Sequence, residues 1–193
     1  EGVNVGVKLP ACFACDISSD GTTKNVGVLV GTNLGTATFT CDTATEFTGS
    51  LACTGSAGLI GANNVGTAGK NAKAVFNSSV YIHDLTAKAL RAGGIIGTNK
   101  GTVELSSVDN CAFIKTAEEA FGRLGGVAGS IDYESAEIVL KDGERVRLSK
   151  IGFTFSDVCY AGGYIGYWKN AGASMESISV QSATFSCGGA TGI

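Results

Sequence analysis

The chain has 193 residues, a formal net charge of −3, and 44% hydrophobic against 16% charged residues. This composition predicts one folded domain, excludes a disordered chain, and gives no basic footprint for nucleic acid. The 29 glycines and single proline follow no collagen period and disfavour long helices, since an interior glycine costs roughly 1 kcal/mol relative to alanine. We expect an all-β protein without a membrane span, because no apolar run approaches about 18 residues.

Residues 1–24 precede the clear repeats and hold only a faint copy of their pattern, at residues 3–7. We interpret this segment as an N-terminal cap or a preceding partial coil. Cys12 and Cys15 form a Cys-x-x-Cys pair, but the sequence has no second such pair and only one histidine. We therefore predict no metal site and no cofactor. No signal peptide is visible, so we expect a processed chain or a piece of a longer protein.

Residues 25–193 are organised around a glycine-rich pattern that recurs in steps of about 26 to 37 residues. Two small residues precede two apolar residues and a glycine, and in the first three copies an asparagine stands two positions later. The glycines are Gly31, Gly61, Gly97, Gly129 and Gly166, and the asparagines are Asn33, Asn63 and Asn99. An incipient sixth copy, at 188–193, predicts that further repeats or another molecule continue the stack beyond the edge at 178–185.

The repeat has a direct physical interpretation. Paired glycines allow sharp corners and close backbone approach, the two apolar residues suit a short buried strand, and alternating β-rich runs follow each copy. Asparagines repeated at one corner can stack as a ladder. A single copy cannot bury its own apolar residues, so coils stacked about 4.8 Å apart must share one core. The pattern predicts a β-solenoid.

The copies at 27–36, 57–67 and 93–103 resemble GLUG repeats, the G-L-[VI]-G-x-N-x-G units of adhesin-like and filamentous-haemagglutinin-like bacterial surface proteins. The resemblance implies a right-handed parallel β-helix, here of about five to six coils, with a surface attachment or spacer role. Copies four and five depart from the pattern at Ile131 and Trp168, where the repeat would place asparagine.

Two segments interrupt the repeat. Residues 116–122 have threonine and glutamate at capping-box spacing and end in glycine, which predicts a short helix. Residues 137–148 alternate apolar and polar around Asp142 and Gly143, which predicts a hairpin insertion that protrudes as a charged ribbon.

Few residues in the sequence suggest catalysis or ligand binding. Asp132 and Glu134 share a face if they lie on one strand, so a polysaccharide-active enzyme is an alternative, but the sequence shows no surrounding cluster of acids and bases. We predict no catalytic residues. Tyr164, Tyr167 and Trp168 form the densest aromatic cluster and are candidates for a carbohydrate or protein contact, or alternatively for core packing.

Covalent features complete the sequence predictions. The seven cysteines favour some disulfides, with Cys41 and Cys53 as the favoured pair because their bond closes a turn-rich loop. Asn77 begins a glycosylation sequon that has meaning only in a secreted eukaryotic setting.

Together these features predict a non-enzymatic extracellular or cell-surface repeat domain, an adhesin stalk or assembly unit within a larger protein. Its expected partners are other copies or further repeats of its parent, or a glycan or host surface protein. The alternatives are a filament or sheath subunit that assembles end to end, and the β-helix enzyme.

Overall fold

A computed structural model describes residues 4–19, 24–64, 72–116, 121–155, 159–169, 178–180 and 183–187. The regular structure of these residues is β-strand throughout, which confirms the all-β prediction. The early strands are β1 (Asn4–Lys8), β2 (Cys12–Ser18), β3 (Asn25–Asn33), β4 (Thr36–Thr40), β5 (Thr45–Ala52), β6 (Ser56–Asn63) and β7 (Lys73–Phe76). The middle strands are β8 (Val80–Ala89), β9 (Arg91–Gly93), β10 (Ile96–Asn99), β11 (Thr102–Leu105), β12 (Val108–Thr116), β13 (Gly122–Gly125) and β14 (Ala128–Ile131). The late strands are β15 (Glu137–Leu140), β16 (Val146–Leu148), β17 (Ile151–Phe155), β18 (Cys159–Gly162), β19 (Ile165–Trp168), β20 (Ile178–Val180) and β21 (Ala183–Cys187).

The strands form three parallel sheets that the chain visits in rotation. Sheet A runs β1-β4-β7-β11-β15, and sheet B runs β2-β5-β8-β12 before β16 and β20, with β17 and β21 beside them. Sheet C is built around β6, which pairs with β3, β9 and β10; β13 and β18 extend the β9 side, and β14 and β19 extend the β10 side. Each circuit adds a strand next to that of the coil before, giving a β-solenoid of about four turns. The predicted solenoid is confirmed.

The core consists of columns of stacked residues, mostly apolar, and in some columns identical residues lie above one another. In sheet A, Ala37 pairs with Ala74 and Phe39 with Phe76, and the two phenylalanine rings lie 5.0 Å apart. In sheet B, the Phe13 and Phe47 rings are stacked at 5.4 Å. Parallel in-register pairing sets equivalent positions above one another, so one apolar position per repeat becomes a continuous apolar column.

The glycine pattern forms a tight arch in sheet C. In the third copy, Ile95 and Ile96 are fully buried at the arch, and the strand bends between β9 and β10. A Cβ atom added to Gly97 would lie 2.6 Å from the Ala57 nitrogen and 2.7 Å from the Gly61 carbonyl oxygen of the neighbouring coil. No side chain fits at that separation. The recurring glycine is thus required by the close approach of two backbones.

The predicted hairpin at 137–148 is wrong. β15 pairs in parallel with β11 in sheet A, whereas β16 pairs in parallel with β12 in sheet B, so the two strands belong to different sheets. The Asp-Gly turn makes a corner of the solenoid, with Gly143 at φ +78°. The reason is burial: Ile138, Val146 and Leu148 all lie in the shared core, which a protruding ribbon could not provide.

Two other sequence predictions are not confirmed. Thr116 ends β12 and Gly122 begins β13, while residues 117–120 of the expected helix lie outside the described residues. Within the described part of the chain there is no helix, and hence none long and apolar enough to cross a membrane. The described coils make about four turns where five to six were expected, and the incipient copy at 188–193 is also outside the described residues.

Candidate functional site

An asparagine ladder occupies the corner between sheets C and A. The Nδ2 group of Asn33 donates to Oδ1 of Asn63 at 2.9 Å, and Nδ2 of Asn63 donates to Oδ1 of Asn99 at 3.0 Å. Asn99 Nδ2 then donates to the Glu137 carbonyl oxygen at 2.9 Å, in the next coil. All three side chains are buried. The asparagines singled out in the sequence are therefore brought together in space.

Each amide in the ladder also closes its own corner. Asn99 Oδ1 accepts from the Gly101 nitrogen at 3.1 Å, and Asn63 Nδ2 also lies within hydrogen-bonding distance of the Ala72 and Thr102 carbonyls. Burying an amide is costly unless its donors and acceptors are paired. The network therefore favours this register of the coils over shifted registers, in which the amides would lose their partners. The ladder ends where Ile131, and then Trp168, take the equivalent position in sheet C.

The aromatic residues predicted as contacts divide into two groups. Tyr164 and Trp168 are half-buried and pack against the core, and burial raises the pKa of the Tyr164 hydroxyl to about 12. Tyr167 instead stands beside Tyr160, their ring centroids 5.3 Å apart in an edge-to-face arrangement, and Tyr160 is exposed. Tyr164 and Trp168 therefore fit the alternative of core packing, whereas Tyr167 belongs to an aromatic cluster at the surface.

Arg123 ties this cluster to the predicted acid pair. Its guanidinium lies 4.0 Å from the Tyr167 ring centroid and donates through Nη1 to Oδ1 of Asp132 at 2.6 Å. Arg91 approaches the same carboxylate at 3.8 Å. These arginines come from β13 and β9, where they are direct cross-strand neighbours. The sequence pattern indicated neither arginine, because the two become neighbours only when β13 pairs with β9.

The two acids do not form the arrangement that the sequence suggested. β14 ends at Ile131, so Asp132 and Glu134 lie in the following turn and not on one strand face. The Asp132 side chain is largely buried against two guanidinium groups, whereas Glu134 is exposed. A carboxylate that is ion-paired in this way stabilises the turn.

A groove of about 440 Å³ opens at this turn. It is lined by Asp132, Tyr133, Glu134, Ser135 and Lys169, so two adjacent coils contribute to it. Tyr133 is 47% exposed. The backbone frame is fixed, since the Asp132 nitrogen donates to the Asn99 carbonyl and the Lys169 nitrogen to the Ile131 carbonyl, each at 3.0 Å. This groove is the candidate binding site, and of its residues the sequence analysis had named only the two acids.

A second, smaller groove of about 180 Å³ lies on the outer face of sheet B. Its lining residues are Ser79, Tyr81, Ser107, Val108, Asp109, Arg145 and Arg147. Arg147 faces Asp109 at 3.9 Å, and both side chains remain partly exposed. Tyr81 is an exposed tyrosine of this groove and is remote in sequence from the first one.

The structure does not bring Cys41 and Cys53 together. Cys41 precedes β5 and Cys53 follows it, so eight strand residues separate two thiols whose Cα atoms must lie within about 7 Å to be bridged. A strand rises roughly 3.3 Å per residue, so the length of β5 holds the two thiols too far apart for a disulfide. A hydrogen bond from Thr45 lowers the pKa of the Cys41 thiol, whereas burial raises the pKa of Cys53.

The remaining sequence candidates have simple environments. Asn77 is exposed at a corner, where its Oδ1 accepts from Lys141 Nζ at 2.6 Å, and its glycosylation stays a prediction. Among the residues whose placement is described, no three His, Cys, Asp or Glu side chains are grouped to hold a metal ion.

Comparison with known proteins adds no assignment to this geometry. No protein-family model, no curated protein and no solved structure matches the chain.

Proposed function

We propose that this chain is a non-enzymatic structural repeat segment of an extracellular surface protein, serving as a rigid stalk or assembly unit. In this proposal it is related to GLUG-repeat surface proteins and forms a right-handed helix of five to six coils once its final copy is included. The observation that carries the proposal is the buried ladder of Asn33, Asn63 and Asn99, which ties successive coils in one register.

Rigidity follows from the way in which the coils are joined. Each interior strand hydrogen-bonds to a strand of the coil before and of the coil after, and the buried apolar residues form one core cluster that reaches from Leu9 to Phe153. Such a stack resists bending because a bend must break ladder hydrogen bonds on one side. Length grows by about 4.8 Å for each added coil, which suits a spacer.

The acid pair gives little support to the enzyme alternative. A glycosidase needs one carboxyl group as proton donor and another as base or nucleophile on opposite sides of the scissile bond. Asp132 is instead held by Arg123 at 2.6 Å and by Arg91 at 3.8 Å, which favours a structural role in an ion pair.

End-to-end assembly is a second candidate because of two exposed valines. Val5 and Val7 are 47% and 38% exposed, although they occupy the columns in which Ala37 and Phe39 are buried. Covering these side chains with another coil would remove apolar surface from water at roughly 25 cal/mol per Å². Concentration-dependent sedimentation of the chain, compared with V5K and V7K variants, measures this association directly.

The test of the proposed function has two arms. Antibodies raised against the folded chain are expected to label intact cells of the source organism, and surface proteolysis is expected to remove the signal. Purified chain is expected to turn over none of a panel of neutral and acidic polysaccharides. Labelling only after cell lysis, or turnover that Asp132→Asn or Glu134→Gln abolishes, would overturn the proposal.

A further inference from the structure

The groove lined by Asp132, Tyr133, Glu134, Ser135 and Lys169 has the size of a small-ligand site. Its volume of about 440 Å³ lies within the range of roughly 300–1,000 Å³ that is usual for such clefts. It is also assembled from two coils, so it exists only in the folded stack. This is a different surface from the smaller groove around Tyr81 on sheet B.

The groove combines one aromatic face with both signs of hydrogen-bonding group. Tyr133 is 47% exposed, so a ligand that covers its ring gains apolar contact while the hydroxyl remains in water. Glu134 offers carboxylate acceptors and Lys169 offers ammonium donors, and both side chains are exposed. A pyranose ring has the matching surface: an apolar face of C–H groups, and neighbouring hydroxyls that both donate and accept.

Charge balance selects among sugars. The Asp132 carboxylate is already paired with Arg123 and Arg91, and the exposed charges of Glu134 and Lys169 are opposite. Neither arginine lines the groove, whose charged lining residues are two carboxylates, Asp132 and Glu134, and one ammonium group, Lys169. The lining thus has no excess positive charge to recognise a sulfate, phosphate or sialic acid group, in contrast to sites that use several unpaired arginines. A neutral sugar has no charged group that must lose its hydration when it enters the groove.

Two lining elements of the groove, the Asp132 side chain and the Lys169 backbone, are held in place by the surrounding fold. Asp132 is fixed by its 2.6 Å hydrogen bond from Arg123, whose guanidinium lies 4.0 Å from the Tyr167 ring centroid. The Lys169 backbone is bonded to the Ile131 carbonyl at 3.0 Å. A preorganised groove lowers the entropy cost of binding, which matters for a ligand that is otherwise well solvated.

We propose that this groove binds a neutral pyranose residue of a glycan, with the Tyr133 ring against one face of the sugar and Glu134 and Lys169 on its hydroxyls. The inference rests on the proposed function, since it names the ligand class of the surface segment. A repeat array that carried such grooves would reinforce weak single contacts through multivalency.

The experiment is a glycan array probed with the full chain, carrying oligosaccharides that end in glucose, galactose, mannose or N-acetylhexosamine beside sialylated and sulfated ones. Wild-type chain is expected to be retained on at least one neutral class. Tyr133→Ala and Glu134→Gln are expected to weaken that retention at least tenfold, because each changes an exposed side chain of the groove. Tyr81→Ala is the matched control, an exposed tyrosine in the other groove, and is expected to bind as wild type.

Three results would overturn the inference: no glycan retained by wild type, retention of the sialylated or sulfated glycans alone, or equal loss in Tyr133→Ala and Tyr81→Ala. Circular dichroism and the thermal midpoint of each variant verify that it is folded, and Glu134→Gln provides the test if Tyr133→Ala is not. Cleavage of a retained glycan would overturn the proposed non-enzymatic function and leave the sugar site standing. Absence of glycan binding overturns the sugar site and leaves the structural role standing.

Discussion

Asn63 and Asn99 are 36 residues apart in sequence, yet the Nδ2 group of the first donates to Oδ1 of the second at 3.0 Å. The bond joins the same corner of two consecutive coils. Both side chains are fully buried, so water cannot replace it. The register of the solenoid is therefore linked to the pairing of these amides.

Replacement of Asn63 by alanine is expected to destabilise the fold by about 3 kcal/mol, since it removes the buried hydrogen bonds to both flanking asparagines and an unsatisfied buried polar group costs roughly 1–3 kcal/mol. Urea unfolding followed by circular dichroism measures the loss. The control is Asn77→Ala at an exposed corner, with an expected change below about 0.5 kcal/mol. Equal unfolding midpoints for the two variants would contradict a structural role for the ladder.

Gly97→Ala is expected to cost about 3 kcal/mol or to prevent folding, because the new methyl group would lie 2.6 Å from the Ala57 nitrogen in the next backbone. Gly6→Ala is the matched control, since a Cβ atom at Gly6 meets nothing within 4 Å. It is expected to leave stability within about 0.5 kcal/mol of wild type. Thermal unfolding of both variants makes the comparison, and a tolerated Gly97→Ala would contradict the requirement for close approach at the arch.

Alkaline pH is expected to destabilise the fold through Tyr164. Burial raises the pKa of this hydroxyl from 10.0 to about 12, so between these values the unfolded chain releases a proton that the folded chain retains. The contribution of Tyr164 is fully present below pH 10 and is lost as pH rises toward 12. Unfolding midpoints measured across this window for wild type and Tyr164→Phe are expected to differ in slope, with the steeper fall in wild type. Parallel slopes would contradict burial of the hydroxyl.

The thiols of Cys41 and Cys53 are expected to react at different rates. A hydrogen bond from Thr45 lowers the pKa of Cys41, whereas burial raises the pKa of Cys53, so Cys41 holds more thiolate at neutral pH and is also more accessible. Peptide mapping after brief treatment of the native chain with iodoacetamide is expected to find Cys41 modified well before Cys53. Slower modification of Cys41, or recovery of the two cysteines in one disulfide-linked peptide, would contradict this arrangement.

The repeat could be recognised in the sequence because every coil needs the same residue types at the same positions. Gly97 and its equivalents are needed where two backbones approach closely. Asn33, Asn63 and Asn99 recur at equivalent corners because each hydrogen-bonds the backbone of its own corner. Apolar residues that alternate over short runs complete the signal. These three features predicted an all-β solenoid with stacked coils and the corner ladder of asparagines.

The tertiary structure decided which residues of different coils come into contact. The segment at 137–148 has the local signature of a hairpin, but its apolar residues gain more by joining the parallel sheets of the neighbouring coil. Likewise, Arg91, Arg123 and Asp132 come together only because β9 and β13 are paired in register. Turn propensity acts over a few residues, whereas burial and charge pairing depend on which coil lies above and below. The sequence by itself therefore determined the solenoid. Only the stacking of its coils decided that residues 137–148 form a corner, that Cys41 and Cys53 lie apart, and that a groove opens at Tyr133.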